Sequence, residues 1–115
     1  MMIEKKADMN LSKLSNGAFE SEFAMKFCDK LSVQIEEFDQ GFKNGIYNKD
    51  KRTLSDLVHK ITSAIMFIEM NDFCHLIDQY KTVDLEDDIA RRELLNEVHM
   101  YCMAIQESLT EFRQG

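Results

Sequence analysis

Histidine is the side chain in this sequence with the widest range of chemistry, and His59 is the histidine best placed to use it. It lies in a run whose apolar residues have the spacing of one face of an α-helix: Leu54, Leu57, Val58, Ile61, Ile65 and Ile68. At roughly 100° per residue, His59 lies about 150° from the centre of that stripe. Its imidazole is therefore expected to point away from the core, where a neutral ring nitrogen can act as a nucleophile toward a partner protein.

Four amphipathic helices are predicted to form the scaffold around His59. They cover approximately residues 18–44, 51–69, 71–80 and 85–112, and a single helical turn at Leu11 and Leu14 precedes them. Gly45 is expected to end the first helix in a left-handed conformation, and Asn48 or Asp50 to cap the second. Short connections without strand-like alternation predict an all-α, antiparallel four-helix bundle with a short helix after the histidine helix.

The chain is predicted to be one domain, residues 8–113, after a flexible N-terminus at residues 1–7. The core is expected to come from apolar stripes on the two long flanking helices. In the first helix these residues are Phe19, Phe23, Phe27, Leu31, Ile35, Phe38 and Phe42, and in the last helix Ile89, Leu94, Val98, Tyr101, Cys102, Ile105, Leu109 and Phe112.

Composition narrows the classes of function. Of the 115 residues, 44 % are hydrophobic and 30 % charged, which is typical of a globular domain, and the absence of proline favours long helices. A net charge of −7 argues against nucleic acid or an anionic membrane surface as the partner. The three cysteines are widely spaced in apolar patterns, so they are predicted to be reduced core residues of a cytoplasmic protein. The N-terminal residues lack the apolar run of a signal peptide.

The segment after His59 resembles the core motif of histidine-containing phosphotransfer domains, which carry phosphoryl groups in multistep phosphorelays. The matching positions are His59, Ile61, Thr62, Ser63 and Ala64, then Ile68, Phe73, Ile77 and Tyr80. The family usually has a lysine where Thr62 stands and a glycine where Ser63 stands. The resemblance extends over residues 8–112.

The resemblance implies a stoichiometric phosphocarrier that is not an enzyme. His59 would accept a phosphoryl group from an aspartyl phosphate on a response-regulator receiver domain and pass it to another receiver, with a hybrid sensor kinase as a further candidate partner. Lys60, Thr62 and Ser63 would support the phosphoryl group locally. The receiver would supply the magnesium, so no metal or cofactor is expected here. The alternative is a helical adaptor that binds receivers or kinases without being phosphorylated.

A docking surface beside His59 is predicted from helical spacing alone. Met66 and Met70 follow His59 by seven and eleven residues, which places them along its line on the helix, with Ser55 and Phe67 flanking that line. Apolar residues opposite a core-facing stripe suggest a surface that a partner covers. The alternative is that Met66, Phe67 and Met70 pack beneath the short helix that follows.

Two Asp-x-x-His pairs have the spacing that some di-iron bundles use, namely Asp56 with His59 and Asp72 with His75. Such ligands point into the bundle, whereas the inward positions here are apolar, so no metal site is predicted. His75 and His99 are interpreted as ordinary, partly exposed side chains.

Overall fold

The computed structural model describes residues 21–114, and this part of the chain is all-α. Its helices are α1 (Ser21–Tyr47), α2 (Lys51–Phe67), α3 (Asn71–Ile77) and α4 (Asp88–Gln114), and a 3₁₀ turn (Asp78–Lys81) extends α3. No strand occurs between residues 21 and 114. The predicted all-α bundle is therefore confirmed, whereas the predicted helical turn at Leu11 and Leu14 and the flexible residues 1–7 lie outside the described residues.

The long helix α1 packs against both α2 and α4 and runs antiparallel to each. A three-residue connection, residues 48–50, turns the chain from α1 back into α2. Along the other side of α1, Asp29 contacts Arg113 and Asp39 contacts His99, so residue numbers rise along α1 as they fall along α4. The short α3 with its 3₁₀ turn contacts α2 and leads into α4, which completes the antiparallel bundle.

The core lies between these helices and is built mostly from residues of the predicted apolar stripes. Its fully buried side chains include Leu31, Ile35, Phe42, Ile46, Leu54, Ile65, Phe73, Val98, Ile105 and Leu109. The Phe73 ring stacks on Tyr101 at 5.2 Å between centroids and meets the edge of Phe38 at 6.2 Å. Aromatic contacts from three helices therefore fix α3 against α1 and α4.

The predicted end of the first helix is wrong, because α1 continues through Gly45 to Tyr47. Lys49, with φ 55°, is the residue that adopts the left-handed conformation after the helix. Gly45 instead allows close approach: a Cβ atom there would lie 2.7 Å from Cδ2 of Leu54 on α2. The glycine is present for helix–helix packing and not for chain reversal.

Two stripe residues predicted to be inward are exposed. Phe23, near the start of α1, has 46 % of its surface accessible, and Ile89 has 69 %. Ile89 lies outside the core because α4 begins at Asp88, three residues later than predicted, and Leu85 is buried in the preceding loop instead. None of the helices in residues 21–114 is both long enough and apolar enough to cross a membrane.

Candidate functional site

His59 lies in the middle of α2 and is exposed to solvent. Its neighbours Val58 and Ile61 are buried against the other helices, so the backbone beneath the imidazole is held by the core. The outward position predicted from the apolar stripe is therefore what the structure shows. Because the helix backbone is held in place by the core, the position of the His59 side chain is fixed, and its ring remains accessible to an incoming partner.

Asp50 caps the start of α2, and it is one of the two residues predicted for this position. Asp50 Oδ1 accepts a hydrogen bond from the Thr53 backbone N–H at 3.1 Å, and Oδ2 accepts one from the Thr53 hydroxyl at 2.8 Å. These hydrogen bonds to Thr53 lower the pKa of the Asp50 carboxyl below its usual value. The cap satisfies a backbone donor that the first turn of a helix would otherwise leave unpaired.

The three residues predicted to support a phosphoryl group on His59 have different environments. Thr62 is half-buried, and its hydroxyl donates to the backbone carbonyl of Val58 at 2.5 Å. In this rotamer the single hydroxyl proton of Thr62 is already used, so it does not donate to a group on His59. Ser63 and Lys60 are exposed, and both keep donors that a phosphoryl group can reach by side-chain rotation.

The residues of the predicted docking surface differ in their exposure. Met66 is 60 % exposed, and Ser55 and Phe67 are half-buried, with the Phe67 ring packed on Phe27 at 4.8 Å between centroids. The prediction for Met70 is wrong, because that residue is 4 % exposed and belongs to the core.

The burial of Met70 follows from where α2 ends. The helix stops at Phe67, and Glu69 adopts a left-handed conformation with φ 57°, which turns the chain. Met70 therefore precedes α3 as its N-cap residue and no longer lies on the line of His59. Helical spacing from His59 applies only as far as the helix extends.

Within residues 21–114, no three histidine, cysteine or acidic side chains lie close enough together to hold a metal ion. The pairs Asp56 with His59 and Asp72 with His75 consist of exposed side chains on the surface of α2 and α3.

A second histidine, His99, lies between α1 and α4 and is paired with a carboxylate, so it is not the ordinary surface side chain that was predicted. His99 Nδ1 is 2.8 Å from Asp39 Oδ2, with 57 % of the His99 side chain exposed and 22 % of the Asp39 side chain. Burial raises the pKa of the neighbouring Cys102 thiol, and the negative charge of Asp39 adds to that rise. The two partners are sixty residues apart, so no local sequence signal identifies the pair.

Comparison of this chain with protein-family models, with curated proteins and with solved structures gives no match.

Proposed function

We propose that this protein is a histidine phosphotransfer protein that carries a phosphoryl group between the aspartates of response-regulator receiver domains, with His59 as the acceptor. The observation that carries the proposal is the exposed imidazole of His59 at the centre of a long helix whose opposite face is core. The resemblance of residues 59–64 and of the helix order to phosphotransfer domains supports it. The protein would act as a stoichiometric carrier in the cytoplasm.

The transfer step needs only one group from this chain. The lone pair of a neutral ring nitrogen of His59 forms a bond to phosphorus while the bond from phosphorus to the aspartyl oxygen breaks, and the receiver carboxylate leaves with its electron pair. The ring proton on the other nitrogen remains, so the phosphorylated ring is cationic until it loses that proton. The reverse step returns the phosphoryl group to a second receiver. Lys60 and Ser63 are the exposed donors beside the acceptor.

A receiver would dock on α2 around His59. Met66 supplies an exposed apolar side chain two turns after the histidine, and Ser55 lies one turn before it. A net charge of −7 disfavours nucleic acid as a competing partner.

The second candidate function is an adaptor that binds receivers or kinases without carrying phosphate. One observation favours it: the Thr62 hydroxyl is committed to the backbone, so no charged or free donor replaces the lysine that phosphotransfer domains usually have at this position. An adaptor would use the same exposed face of α2 and would not need the imidazole.

A receiver domain that carries a radioactive aspartyl phosphate distinguishes the phosphocarrier from the adaptor. We expect the wild-type protein to acquire acid-labile, base-stable label. His59→Gln should abolish the labelling. His75→Gln, which changes another exposed histidine on a different helix, should leave it unchanged. Equal labelling of wild type and His59→Gln would overturn the acceptor role of His59. Receiver binding without any label in the wild type would establish the adaptor.

A further inference from the structure

The groove between α1 and α4 contains a histidine whose environment differs from that of His59. His99 Nδ1 and Asp39 Oδ2 are 2.8 Å apart, and the ring is more than half exposed. The histidine and the carboxylate come from different helices, so the packing of α1 on α4 holds their relative position. Since Nδ1 is paired with the carboxylate, the neutral ring carries its proton on Nδ1 and presents the lone pair of Nε2 away from Asp39.

Asp39 is largely enclosed by its surroundings, because only 22 % of its side chain is exposed. It lines a second cleft between α1 and α4 together with the buried Cys102. Burial raises the pKa of the Cys102 thiol, and the negative charge of Asp39 raises it further. The His99 ring therefore has an orienting carboxylate that is restricted by helix packing, which a freely rotating surface carboxylate would not provide.

The ring opens onto a cleft of about 260 Å³ between α1 and α4. Besides Asp39 and His99, its polar lining includes Lys43, Gln40 and Asn96. A water molecule occupies about 30 Å³ of liquid volume, so the cleft has room for a phosphoryl group and its solvent. An ammonium group and two side-chain amides are donors that suit an anionic oxygen.

We propose that His99 is a second phosphoryl acceptor, which takes its phosphoryl group at Nε2 from small, high-energy donors of the phosphoramidate and acyl phosphate class, with Asp39 as its positioning residue. With phosphoramidate, the Nε2 lone pair forms the new bond to phosphorus, the original phosphorus–nitrogen bond breaks, and ammonia leaves with its electron pair. The proton on Nδ1 stays on the ring, and the Asp39 carboxylate stabilises the resulting cationic imidazole.

This proposal does not depend on transfer from a receiver to His59. The donors are small enough to enter a cleft, whereas a receiver domain needs an open surface. The two histidines are also on helices that face different sides of α1. Mapping the label to individual histidines therefore distinguishes failure at His99 from failure at His59.

The test treats the full-length protein with phosphoramidate alone and, in a second arm, with acetyl phosphate. Labelled peptides are mapped by mass spectrometry under basic conditions, and the ring nitrogen is identified by phosphorus NMR. His75 is the internal control, because it is exposed on α3 and its ring has no hydrogen-bond partner among residues 21–114. We expect His99 to be labelled on Nε2 at least roughly tenfold faster than His75.

Asp39→Ala removes the acceptor opposite Nδ1, so it should slow the labelling of His99 by about tenfold and give a mixture of the two phosphohistidine isomers. Asp29→Ala is the matched control, because it removes a different ion pair, with Arg113 at 2.7 Å, from the same helix interface. This control should keep both the rate and the Nε2 isomer. His99 and His75 labelled equally in the wild type, or an unchanged isomer in a folded Asp39→Ala protein, would overturn the proposal.

Discussion

Two glycines one turn apart on α1 set the distance between α1 and the histidine helix, and Gly45→Ala is the sharper test of that packing. A Cβ atom at Gly45 would lie 2.7 Å from Cδ2 and 3.0 Å from Cγ of Leu54. At Gly41 it would lie 2.9 Å from Cδ1 of Leu57. The distances are similar, but Leu54 is completely buried whereas Leu57 is half-buried and lines an open groove. Only Leu57 has free space into which to rotate.

Two opposing contributions decide how each glycine-to-alanine substitution changes the free energy of unfolding. Alanine is favoured over glycine inside a helix by about 1 kcal/mol. Forcing an extra carbon into a filled core costs about 1–3 kcal/mol, because neighbouring side chains must leave their preferred rotamers. At Gly45 the neighbour Leu54 is completely buried, so we place the clash in the upper part of that range, at about 2–3 kcal/mol, and after the gain of about 1 kcal/mol the free energy of unfolding should fall by roughly 1–2 kcal/mol. At Gly41 the clash is relieved by Leu57, and the protein should be unchanged or more stable by up to about 1 kcal/mol.

Urea unfolding followed by far-ultraviolet circular dichroism measures both variants against the wild type. The expected order of stability is Gly41→Ala, then wild type, then Gly45→Ala. In a Leu54→Ala background the clash is absent, so adding Gly45→Ala should stabilise the protein. A Gly45→Ala protein as stable as the wild type would refute the claim that close contact with Leu54 requires this glycine.

Three further measurements test the environments assigned to individual residues. Met66→Ala should leave the urea midpoint almost unchanged and slow phosphoryl transfer from a receiver. Met70→Ala should lower the free energy of unfolding by about 2–4 kcal/mol, because only Met70 is buried. Similar urea midpoints for the two variants would contradict this. Asp50→Ala should lower thermal stability at neutral pH. Because the pKa of Asp50 is lowered in the folded protein, that loss should be present above about pH 4 and should shrink as the pH falls further. With a thiol reagent at neutral pH, Cys74 should react faster than Cys102, because Cys74 is half-buried and Cys102 is 2 % exposed, and an equal rate would show that α4 opens readily.

Periodicity in the sequence was enough to locate the helices and most of the core. Leu31, Ile35 and Phe42 repeat at helical spacing and are all buried, because an amphipathic helix of this length has only one way to hide its apolar side. Asp50 was also predictable as a cap, since its interaction with Thr53 is local in sequence. The role of Gly45 was not, because a glycine that permits helix contact and one that ends a helix look alike until the partner helix is placed.

Some features of the candidate site can also be predicted from local sequence, whereas others cannot. The outward direction of His59 depends only on the phase of α2, and phase is a local property. The position of Met70 depends on where α2 ends, and the turn at Glu69 is set by a backbone conformation that a glutamate rarely adopts. The contact of His99 with Asp39 depends on the register between two helices, which is decided by core packing along their whole length.

The lifetime of a phosphoryl group on His59 would be governed by what surrounds it, and α2 supplies little charge there. The Thr62 hydroxyl donates a hydrogen bond to the backbone carbonyl of Val58, so it is not available to a phosphate oxygen. Phosphate oxygens on His59 would then rely on Ser63, on Lys60 and on water, and hydrogen bonds from exposed groups are worth little because water competes for them. Thr62→Lys would add a cation one turn from His59 on the same side of α2. We therefore expect this variant to accept phosphate faster and retain it longer than the wild type, as measured by the decay of acid-labile label; no change in decay would show that the receiver alone controls the lifetime.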